Sequence, residues 1–149
     1  MRSKLMIERP ERTWALVFAT GDEVIGALTA FARDHGLAGT RFTGIGAFSD
    51  AVLGYFRWEQ KQYARIPVTE QVEVVSLVGD IALGDDGGPK VHAHVVVGRA
   101  DGAAMGGHLL EGHVRPTLEL MLTEEPRELV RRHDPTTGLA LIDLGRGPP

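Results

Sequence analysis

Three histidines are the residues of this sequence whose types and spacing could do chemistry. His92 and His94 are separated by the single residue Ala93 within the apolar run 90–99, and His108 follows Gly106-Gly107. Alternate side chains of a strand share a face, so His92 and His94 point the same way. Their backbones lie about 6.6 Å apart, because each strand residue rises about 3.3 Å. Two imidazoles placed in this way can reach one ion.

A metal site built from these histidines would suit a divalent transition metal ion, most of all zinc. The glycines before His108 would let the backbone turn or approach another strand closely. The three ligands would be His92, His94 and His108, with one position left open. His113 is a candidate fourth ligand, although a place on the rim is the favoured interpretation. The alternative is that the histidines form hydrogen bonds across a sheet or a subunit contact without metal.

Three other side chains are weaker candidates for a site. Glu119 interrupts the apolar run 118–122, and facing inward it could be a metal ligand, a partner of a ligand or a catalytic base. Facing outward, it would only add solubility. Tyr55 and Tyr63 could line a ligand pocket, although aromatic side chains on a half-buried strand usually serve packing. His35 falls in the last turn of a predicted helix, where it is interpreted as a local helix-end residue and not as a ligand.

The clearest element that must support these residues is a helix. A strand is predicted over residues 13–19, and the spacing of Thr20 and Glu23 is that of a capping box. Apolar residues then recur at helical spacing as far as His35, and Gly36 is placed to end the helix. The sequence therefore predicts a strand that passes directly into an amphipathic helix.

The remainder of the chain is predicted to be mostly strands. Short β-like runs punctuated by glycine cover 41–46, 51–57, 63–66, 71–83, 90–99, 117–122 and 139–144. Gly44, Gly46 and Gly54 fit bulges or close approaches. A short second helix is predicted from Pro126 to His133. The predicted fold class is α+β, a mostly antiparallel β-sheet packed with one main α-helix and a short second helix.

Length and composition limit the class of protein. The 149 residues fit a single domain, with 1–10 and 145–149 expected to be frayed. The sequence contains no cysteine, which excludes disulfides and cysteine nucleophiles and favours a reducing cytoplasm. The start lacks the apolar segment of a secretory signal. No apolar run approaches the roughly 18 residues of a membrane span, so no membrane partner is expected.

The charge balance disfavours non-specific DNA binding. The chain has 16 basic and 20 acidic residues, a net charge of −4, whereas DNA affinity comes mostly from cations that neutralise phosphates. Arg127, Arg131 and Arg132 form a local basic cluster. This cluster is interpreted as a solvated helix face, with a nucleic-acid contact as the alternative.

Several blocks of sequence occur in the order found in a known family. They are 31–36 (FARDHG), 42–49 (FTGIGAFS), 52–56 (VLGYF), 74–83 (VVSLVGDIAL), the His92-Ala93-His94 motif, Asp101-Gly102, 106–112 (GGHLLEG) and 115–119 (RPTLE). In these blocks the chain resembles the plant and prokaryote conserved (PPC) domain, which lies beside AT-hooks in plant nuclear proteins. The resemblance implies an antiparallel sheet flanked by a helix, a homotrimer, and DNA binding by analogy with plant relatives.

Two departures separate this chain from the plant members of that family. The AT-hook is centred on Arg-Gly-Arg-Pro, and the nearest text here is the tail 145–148 (GRGP). The plant motif Gly-Arg-Phe-Glu-Ile-Leu is replaced by 70–75 (EQVEVV), which has no arginine. The partner contacts of plant proteins therefore do not carry over, while the histidine motif is intact.

Three functions are compatible with these features. The favoured one is a binding or regulatory protein, a PPC-like trimer with a three-histidine metal site that acts with DNA or a transcription partner. The second is a small metal-dependent enzyme, a hydrolase or lyase of unspecified substrate, whose metal lowers the pKa of bound water. In the third, the metal only stabilises the fold or the trimer. An open coordination position in a cleft would favour catalysis, and four protein ligands would favour a structural role.

Overall fold

The computed structural model describes residues 1–7, 12–125 and 128–145. In chain order, its elements are β1 (Arg2–Ile7), β2 (Thr13–Ala19), α1 (Val24–His35), β3 (Gly39–Arg57), β4 (Gln62–Val68), β5 (Val72–Leu83), β6 (Pro89–Gly98), β7 (Ala104–Glu124), β8 (Arg131–Asp134) and β9 (Leu139–Ile142). Among the described residues, no helix is both long and apolar enough to cross a membrane.

Seven strands form one antiparallel sheet in the order β1-β2-β7-β6-β5-β3-β4. Strand β7 also pairs with β3, so the sheet closes on itself through β3, β5, β6 and β7. Strands β8 and β9 form a separate two-stranded sheet, called the C-terminal hairpin below. The prediction of an α+β fold with a mostly antiparallel sheet and one main helix is confirmed.

The N-cap of helix α1 lies three residues later than the capping-box spacing of Thr20 and Glu23 predicts. The Glu23 carboxylate accepts hydrogen bonds from the backbone N–H groups of Ile25 and Gly26, at 3.1 and 2.6 Å. Glu23 is therefore the N-cap, and the predicted role of Thr20 is wrong, because the Thr20 hydroxyl donates instead to the carbonyl of Pro116. The helix ends at Gly36 in the left-handed conformation, with φ 63°, as predicted.

The apolar face of α1 packs against the sheet and closes the core. Its buried residues are Val24, Leu28, Phe31 and Ala32. They belong to the same cluster as apolar side chains from β2, β3, β5, β6 and β7. His35 donates from Nδ1 to the carbonyl of Phe31 at 3.0 Å and stacks on the Phe31 ring, so its interpretation as a local helix-end residue agrees with the structure.

The longest strands, β3 and β7, pair closely because glycine lies at their contact. The predicted runs 41–46 and 51–57 are parts of one strand, β3. A Cβ atom at Gly46 would lie 2.3 Å from the carbonyl oxygen of Thr117, and the pairing of β3 with β5 shifts between Gly44 and Gly46. The prediction of bulges and close approaches at these glycines is confirmed, and it explains how a long strand bends around the core.

The structure contradicts the predicted second helix. Residues 131–134 form strand β8 and residues 128–129 are not helical, so the predicted second helix over 126–133 is wrong in its described part, while Pro126 and Arg127 lie outside the described residues. A helix of one or two turns is marginal by itself, and a turn closed by Gly138 N–H donating to the Asp134 carbonyl gives this segment a strand partner instead.

Fraying was predicted for both ends of the chain. Residues 2–7 form β1, which pairs with β2. At the other end, the Gly145 N–H donates to the Asp143 carboxylate. The rest of the predicted frayed segments, 8–10 and 146–149, lies outside the described residues.

Candidate metal centre

Two neighbouring strands bring the three histidines together. His94 on β6 pairs directly with His108 on β7, and His92 lies two residues before His94 on the same face of β6. The ring centroids of His92 and His94 are 5.2 Å apart, those of His92 and His108 are 5.2 Å apart, and those of His94 and His108 are 5.4 Å apart. One possible ligand atom from each histidine lies within 4.8 Å of the others.

Glycine allows β7 to lie this close to its neighbours. A Cβ atom at Gly107 would be 2.8 Å from the carbonyl oxygen of Gly54, and one at Gly106 would be 2.9 Å from that of Val95. Both contacts are shorter than a side chain tolerates. The predicted close approach before His108 is therefore present.

The donor set fits one transition-metal ion. Metal–imidazole bonds are about 2.0–2.1 Å long, so small rotations of the three side chains would bring their nitrogens around a common centre. The Nδ1 atom of His108 is buried and has no hydrogen-bond partner among the described residues. A buried polar atom without a partner is costly, and a metal–nitrogen bond would satisfy it.

The surroundings keep the imidazoles of His94 and His108 in the form that binds metal. Burial, followed by the charges of His92, His94 and Arg131, lowers the pKa of His108 to about 4. Burial and then the charge of His92 also lower the pKa of His94. Both rings are therefore neutral at pH 7, and a neutral ring has a lone pair to offer to a metal ion.

Asp80 and Arg131 lie directly behind His92. Asp80 is the register partner of His92 on β5. Arg131 Nη2 donates to both Asp80 carboxylate oxygens, at 2.8 and 2.9 Å, and lies 3.0 Å from His92 Nδ1. The same Nδ1 atom is 3.6 Å from Asp80 Oδ2, which is too far for a direct hydrogen bond. Burial alone would raise the pKa of Asp80, but its contacts with His92 and Arg131 outweigh burial and lower that pKa.

The position of Arg131 corrects the interpretation of the basic cluster. Arg131 is buried in β8, with 8% of its surface exposed. Arg132 points elsewhere and contacts the Asp85 carboxylate at 3.1 Å. Arg127 lies outside the described residues. Arg131 and Arg132 are thus not two members of one solvated helix face, because they lie on a strand and contact different carboxylates.

A cavity of about 530 Å³ opens beside the histidines. His92 and His108 contribute to its lining, together with Tyr63, the end of β5, the start of β6 and the C-terminal hairpin. The Tyr63 ring stacks on His108 with centroids 4.6 Å apart and an angle of 26° between the planes. Burial raises the pKa of Tyr63, so its hydroxyl stays protonated near neutral pH.

The structure brings some predicted site residues to the histidines and leaves others apart. Tyr63 lines the cavity, but Tyr55 is 66% exposed and does not. Glu119 is exposed and lies in a separate groove with Ile45 and Met121, so it is outside the histidine cluster. It therefore takes the outward position that was interpreted as adding solubility.

His113 is also outside the cluster. Its Nδ1 atom is 2.7 Å from Asp50 Oδ1, and this hydrogen bond is the main reason why the pKa of His113 is raised. Of the histidines considered as ligands, the structure groups only His92, His94 and His108 in its described part.

Asp80 and Arg131 were not predicted to be site residues. The alternation of β5 and β6 around the turn at 84–88 could have indicated that Asp80 faces His92, because a hairpin fixes its register. Arg131 had no such signal, because it comes to the site through a hairpin far along the chain.

The chain matches the model of the Plants and Prokaryotes Conserved (PCC) domain over residues 7–126. Among solved structures, it is similar to a plant- and prokaryote-conserved protein of Pyrococcus horikoshii, with 33% identity, 95% of this chain and 99% of that chain covered, and a TM-score of 0.84. A candidate DNA-binding protein of Bacteroides thetaiotaomicron is 26% identical, with 97% and 99% covered and a TM-score of 0.85.

A third similar structure is a metal-containing protein of Archaeoglobus fulgidus, with 27% identity, 95% of this chain and 98% of that chain covered, and a TM-score of 0.81. A curated relative, the bifunctional protein GlmU of Synechococcus sp. (strain JA-3-3Ab), is 31% identical over 130 residues, which are 85% of this chain. The chain spans only 20% of the length of that relative.

Proposed function

Because the chain belongs to the Plants and Prokaryotes Conserved domain family, we propose that it is a metal-binding protein of that family. It holds one divalent transition metal ion, zinc most of all, between His92, His94 and His108. The observation that carries the proposal is the approach of three imidazole ligand atoms to within 4.8 Å of one another. Neutral imidazole is a preferred ligand of zinc.

Two further observations support a metal at this position. The buried Nδ1 atom of His108 has no hydrogen-bond partner in the described part of the chain. The similar protein of Archaeoglobus fulgidus is metal-containing. When bound, such an ion polarises a coordinated oxygen atom and lowers the pKa of bound water.

Elemental analysis of protein purified without a histidine tag tests the proposal. We expect about one zinc or similar ion per chain, and loss of that ion in His92→Ala, His94→Ala and His108→Ala. His113→Ala is the matched control, because His113 contacts Asp50 outside the cluster. Protein without stoichiometric metal, in which the three substitutions leave metal affinity unchanged, would overturn the proposal.

A metal-dependent hydrolase or lyase is a second candidate function. The observation that favours it is the cavity beside His92 and His108, because three protein ligands and an accessible fourth position are the pattern of a catalytic metal site. Glu119 is too far from the cluster to act as its base, whereas Tyr63 stacks on His108. Hydrolysis of activated esters by the zinc-loaded protein, lost in His108→Ala, would support this function. A rate equal to that of the metal-free protein would exclude it for such substrates.

DNA binding is a further candidate, favoured by the similarity to the candidate DNA-binding protein of Bacteroides thetaiotaomicron. The pairing of basic side chains with carboxylates disfavours DNA binding. Seven basic side chains each contact a carboxylate, which reduces their ability to neutralise phosphates. They are Arg12, Arg41, Arg65, Lys90, Arg99, Arg131 and Arg132. A gel-shift assay with duplex DNA at low salt tests this candidate, and absence of retardation under those conditions would rule out DNA binding.

A homotrimer is the proposed assembly. An exposed apolar surface on the outer side of β3, β5 and β7 supports it: Ile45 is 64% exposed, Val75 58%, Val78 47% and Met121 46%. Such a contiguous apolar face is typical of an interface, and a second copy of the chain is the proposed occupant. Light scattering should give three times the chain mass, and Ile45→Lys should lower it. A monomeric mass at micromolar concentration would contradict the trimer.

A further inference from the structure

The cavity beside the histidines has the size of a small-molecule site. Its volume is about 530 Å³, and its lining includes His92 and His108. Pockets for small ligands fall in the range of about 300–1,000 Å³. A metal ion at the proposed site would therefore face a space large enough for an organic molecule of several heavy atoms.

The charges around the histidines leave a divalent ion without a counter-charge. Imidazoles that bind metal are neutral, so His92, His94 and His108 would bring no negative charge. Asp80 is the carboxylate next to the cluster, and both of its oxygens already accept from Arg131.

The other carboxylates that line the cavity are also matched by cations. Asp85 contacts Arg132 at 3.1 Å, and Asp86 contacts Lys90 at 2.9 Å. Within the described part of the lining, an ion of charge +2 therefore finds no unmatched carboxylate. A partly buried, uncompensated charge of this size is costly, so an anion in the cavity would be strongly favoured.

Arg131 places a fixed guanidinium in the wall of the cavity, and Asp80 balances its charge. Its side chain is 9% exposed, its Nη1 atom donates to the carbonyl of Ala140 at 3.0 Å, and its Nε atom is buried without a hydrogen-bond partner among the described residues. The guanidinium is thus held in place from two sides and retains an unused donor. A ligand carboxylate in the cavity would be attracted by the net charge of the metal ion, and the guanidinium of Arg131 would offer it a hydrogen-bond donor.

Apart from His133, most of the remaining wall is apolar. Leu139 and Leu141 of the C-terminal hairpin, Val91 of β6 and the ring of Tyr63 line the cavity. Leu141 is 41% exposed, so a ligand can still cover part of its side chain. Burial of such surface favours a ligand with an apolar body by about 25 cal/mol for each Å² covered.

We propose that this cavity binds a small organic anion of the carboxylate class. Its charged end lies between the metal ion and Arg131, and its apolar body lies against Leu139 and Leu141. The inference rests on the proposed metal site, and it assigns the C-terminal hairpin, which lies beyond the family match at 7–126, a role in ligand selection.

Titration of the cobalt-loaded protein tests this inference, since the visible spectrum of Co²⁺ responds to changes in its ligands. The probes are acetate, butyrate and hexanoate, with uncharged butyramide as the matched analogue. We expect butyrate to change the spectrum, and to bind at least tenfold more tightly than both butyramide and acetate. Equal effects of butyrate and butyramide, or an unchanged spectrum in protein that holds one equivalent of cobalt, would overturn the inference while leaving the metal site intact. Failure to take up cobalt would overturn the metal site and this inference with it.

Two variants separate the ligand site from the metal site. Leu141→Trp should fill the cavity and weaken butyrate binding at least tenfold with unchanged cobalt uptake. Arg131→Gln should remove most of the preference for butyrate over butyramide. The control is Arg132→Gln, on the next residue of β8, which should leave that preference unchanged. If Arg131→Gln does not fold, Leu141→Trp remains decisive, because unchanged butyrate affinity in that variant would also overturn the inference.

Discussion

Arg131 donates from Nη2 to both carboxylate oxygens of Asp80, at 2.8 and 2.9 Å. This ion pair joins the C-terminal hairpin to β5 directly behind His92. The two side chains are 9% and 25% exposed, whereas those of the neighbouring pair, Arg132 and Asp85, are 44% and 53% exposed. The hairpin is thus fixed by one buried pair and one exposed pair on consecutive residues.

The two pairs should contribute unequally to stability. Removal of one partner from a buried ion pair costs about 3–5 kcal/mol, because the other charge stays buried without compensation. Exposed pairs contribute about 0–1 kcal/mol. We therefore expect Asp80→Ala to lower the free energy of unfolding by about 3 kcal/mol and Asp85→Ala by less than about 1 kcal/mol, as measured by urea denaturation of the metal-free protein. Equal losses in the two variants would show that Arg131 is not effectively buried.

Metal binding should stabilise the folded protein through the same cluster. A ligand that binds only the folded state at 100 times its Kd adds about 2.7 kcal/mol to the free energy of unfolding. Zinc at that excess should raise the Tm of the wild-type protein. His108→Ala should remove most of this increase, whereas His113→Ala should keep it, because His113 is outside the cluster. A similar zinc-dependent increase in the His108→Ala variant would mean that the stabilising ion binds elsewhere.

The metal-free protein should lose stability in mild acid. The pKa of His108 is lowered from 6.5 to about 4, first by burial, and the pKa of His94 is lowered for the same reason. Between pH 4 and pH 6.5 the unfolded chain binds protons that the folded chain does not bind. The free energy of unfolding therefore rises with pH from about 4 to about 6.5 and falls as the pH is lowered through that range.

Urea denaturation at several pH values measures this dependence. In His108→Asn the dependence of stability on pH between pH 4 and 6.5 should be weaker, because the histidine whose pKa is lowered to about 4 is removed. If the free energy of unfolding depended on pH in the same way in the wild type and the variant, the pH dependence could not be assigned to His108.

Much of the fold could be predicted from local sequence patterns, because each of these patterns reflects a conformational preference of the residues themselves. Alternation along β6 placed His92 and His94 on one face, and Gly36 ended the helix in the conformation that glycine adopts most easily. The strand at 131–134 could not be predicted in this way. Its partner β9 begins only five residues after Asp134, but a run of four helix-compatible residues has too little alternation of its own to indicate a strand.

The residues of the candidate site also fall into two groups, those that a local pattern predicts and those that only the pairing of strands brings into place. The cluster of His92, His94 and His108 was predictable for two reasons. His92 and His94 share a strand, and the glycines before His108 indicate that its strand approaches another closely. Asp80 and Arg131 were not assigned, since their roles depend on the register of β5 with β6 and on the return of the hairpin. Tyr55 and Tyr63 were indistinguishable by residue type, and only the pairing of β3 with β4 separates the stacked ring from the exposed one.

The pair formed by His113 and Asp50 gives stability a second dependence on pH. The pKa of His113 shifts in the direction opposite to that of His108. Their hydrogen bond raises the pKa of His113 and lowers the pKa of Asp50. The contribution of His113 is therefore complete below pH 6.5 and is lost as the pH rises through its raised pKa, while that of Asp50 is complete above pH 3.8 and is lost as the pH falls. NMR titration should show that Asp50→Asn lowers the pKa of His113 towards 6.5. An unchanged pKa in that variant would show that the two side chains do not interact in solution.

The crossing of β3 and β7 at Gly46 should tolerate no side chain. A Cβ atom there would lie 2.3 Å from the Thr117 carbonyl oxygen and 2.6 Å from the Leu118 Cα atom, both backbone atoms that cannot rotate away. Overpacking typically costs about 1–3 kcal/mol, and the fixed backbone places Gly46→Ala at the upper end of that range. Gly88→Ala is the matched control, since its nearest neighbour would be the Asp86 side chain at 3.4 Å. Urea denaturation should therefore give a loss of about 3 kcal/mol for Gly46→Ala and less than about 1 kcal/mol for Gly88→Ala, and equal losses would contradict the close contact of β3 with β7.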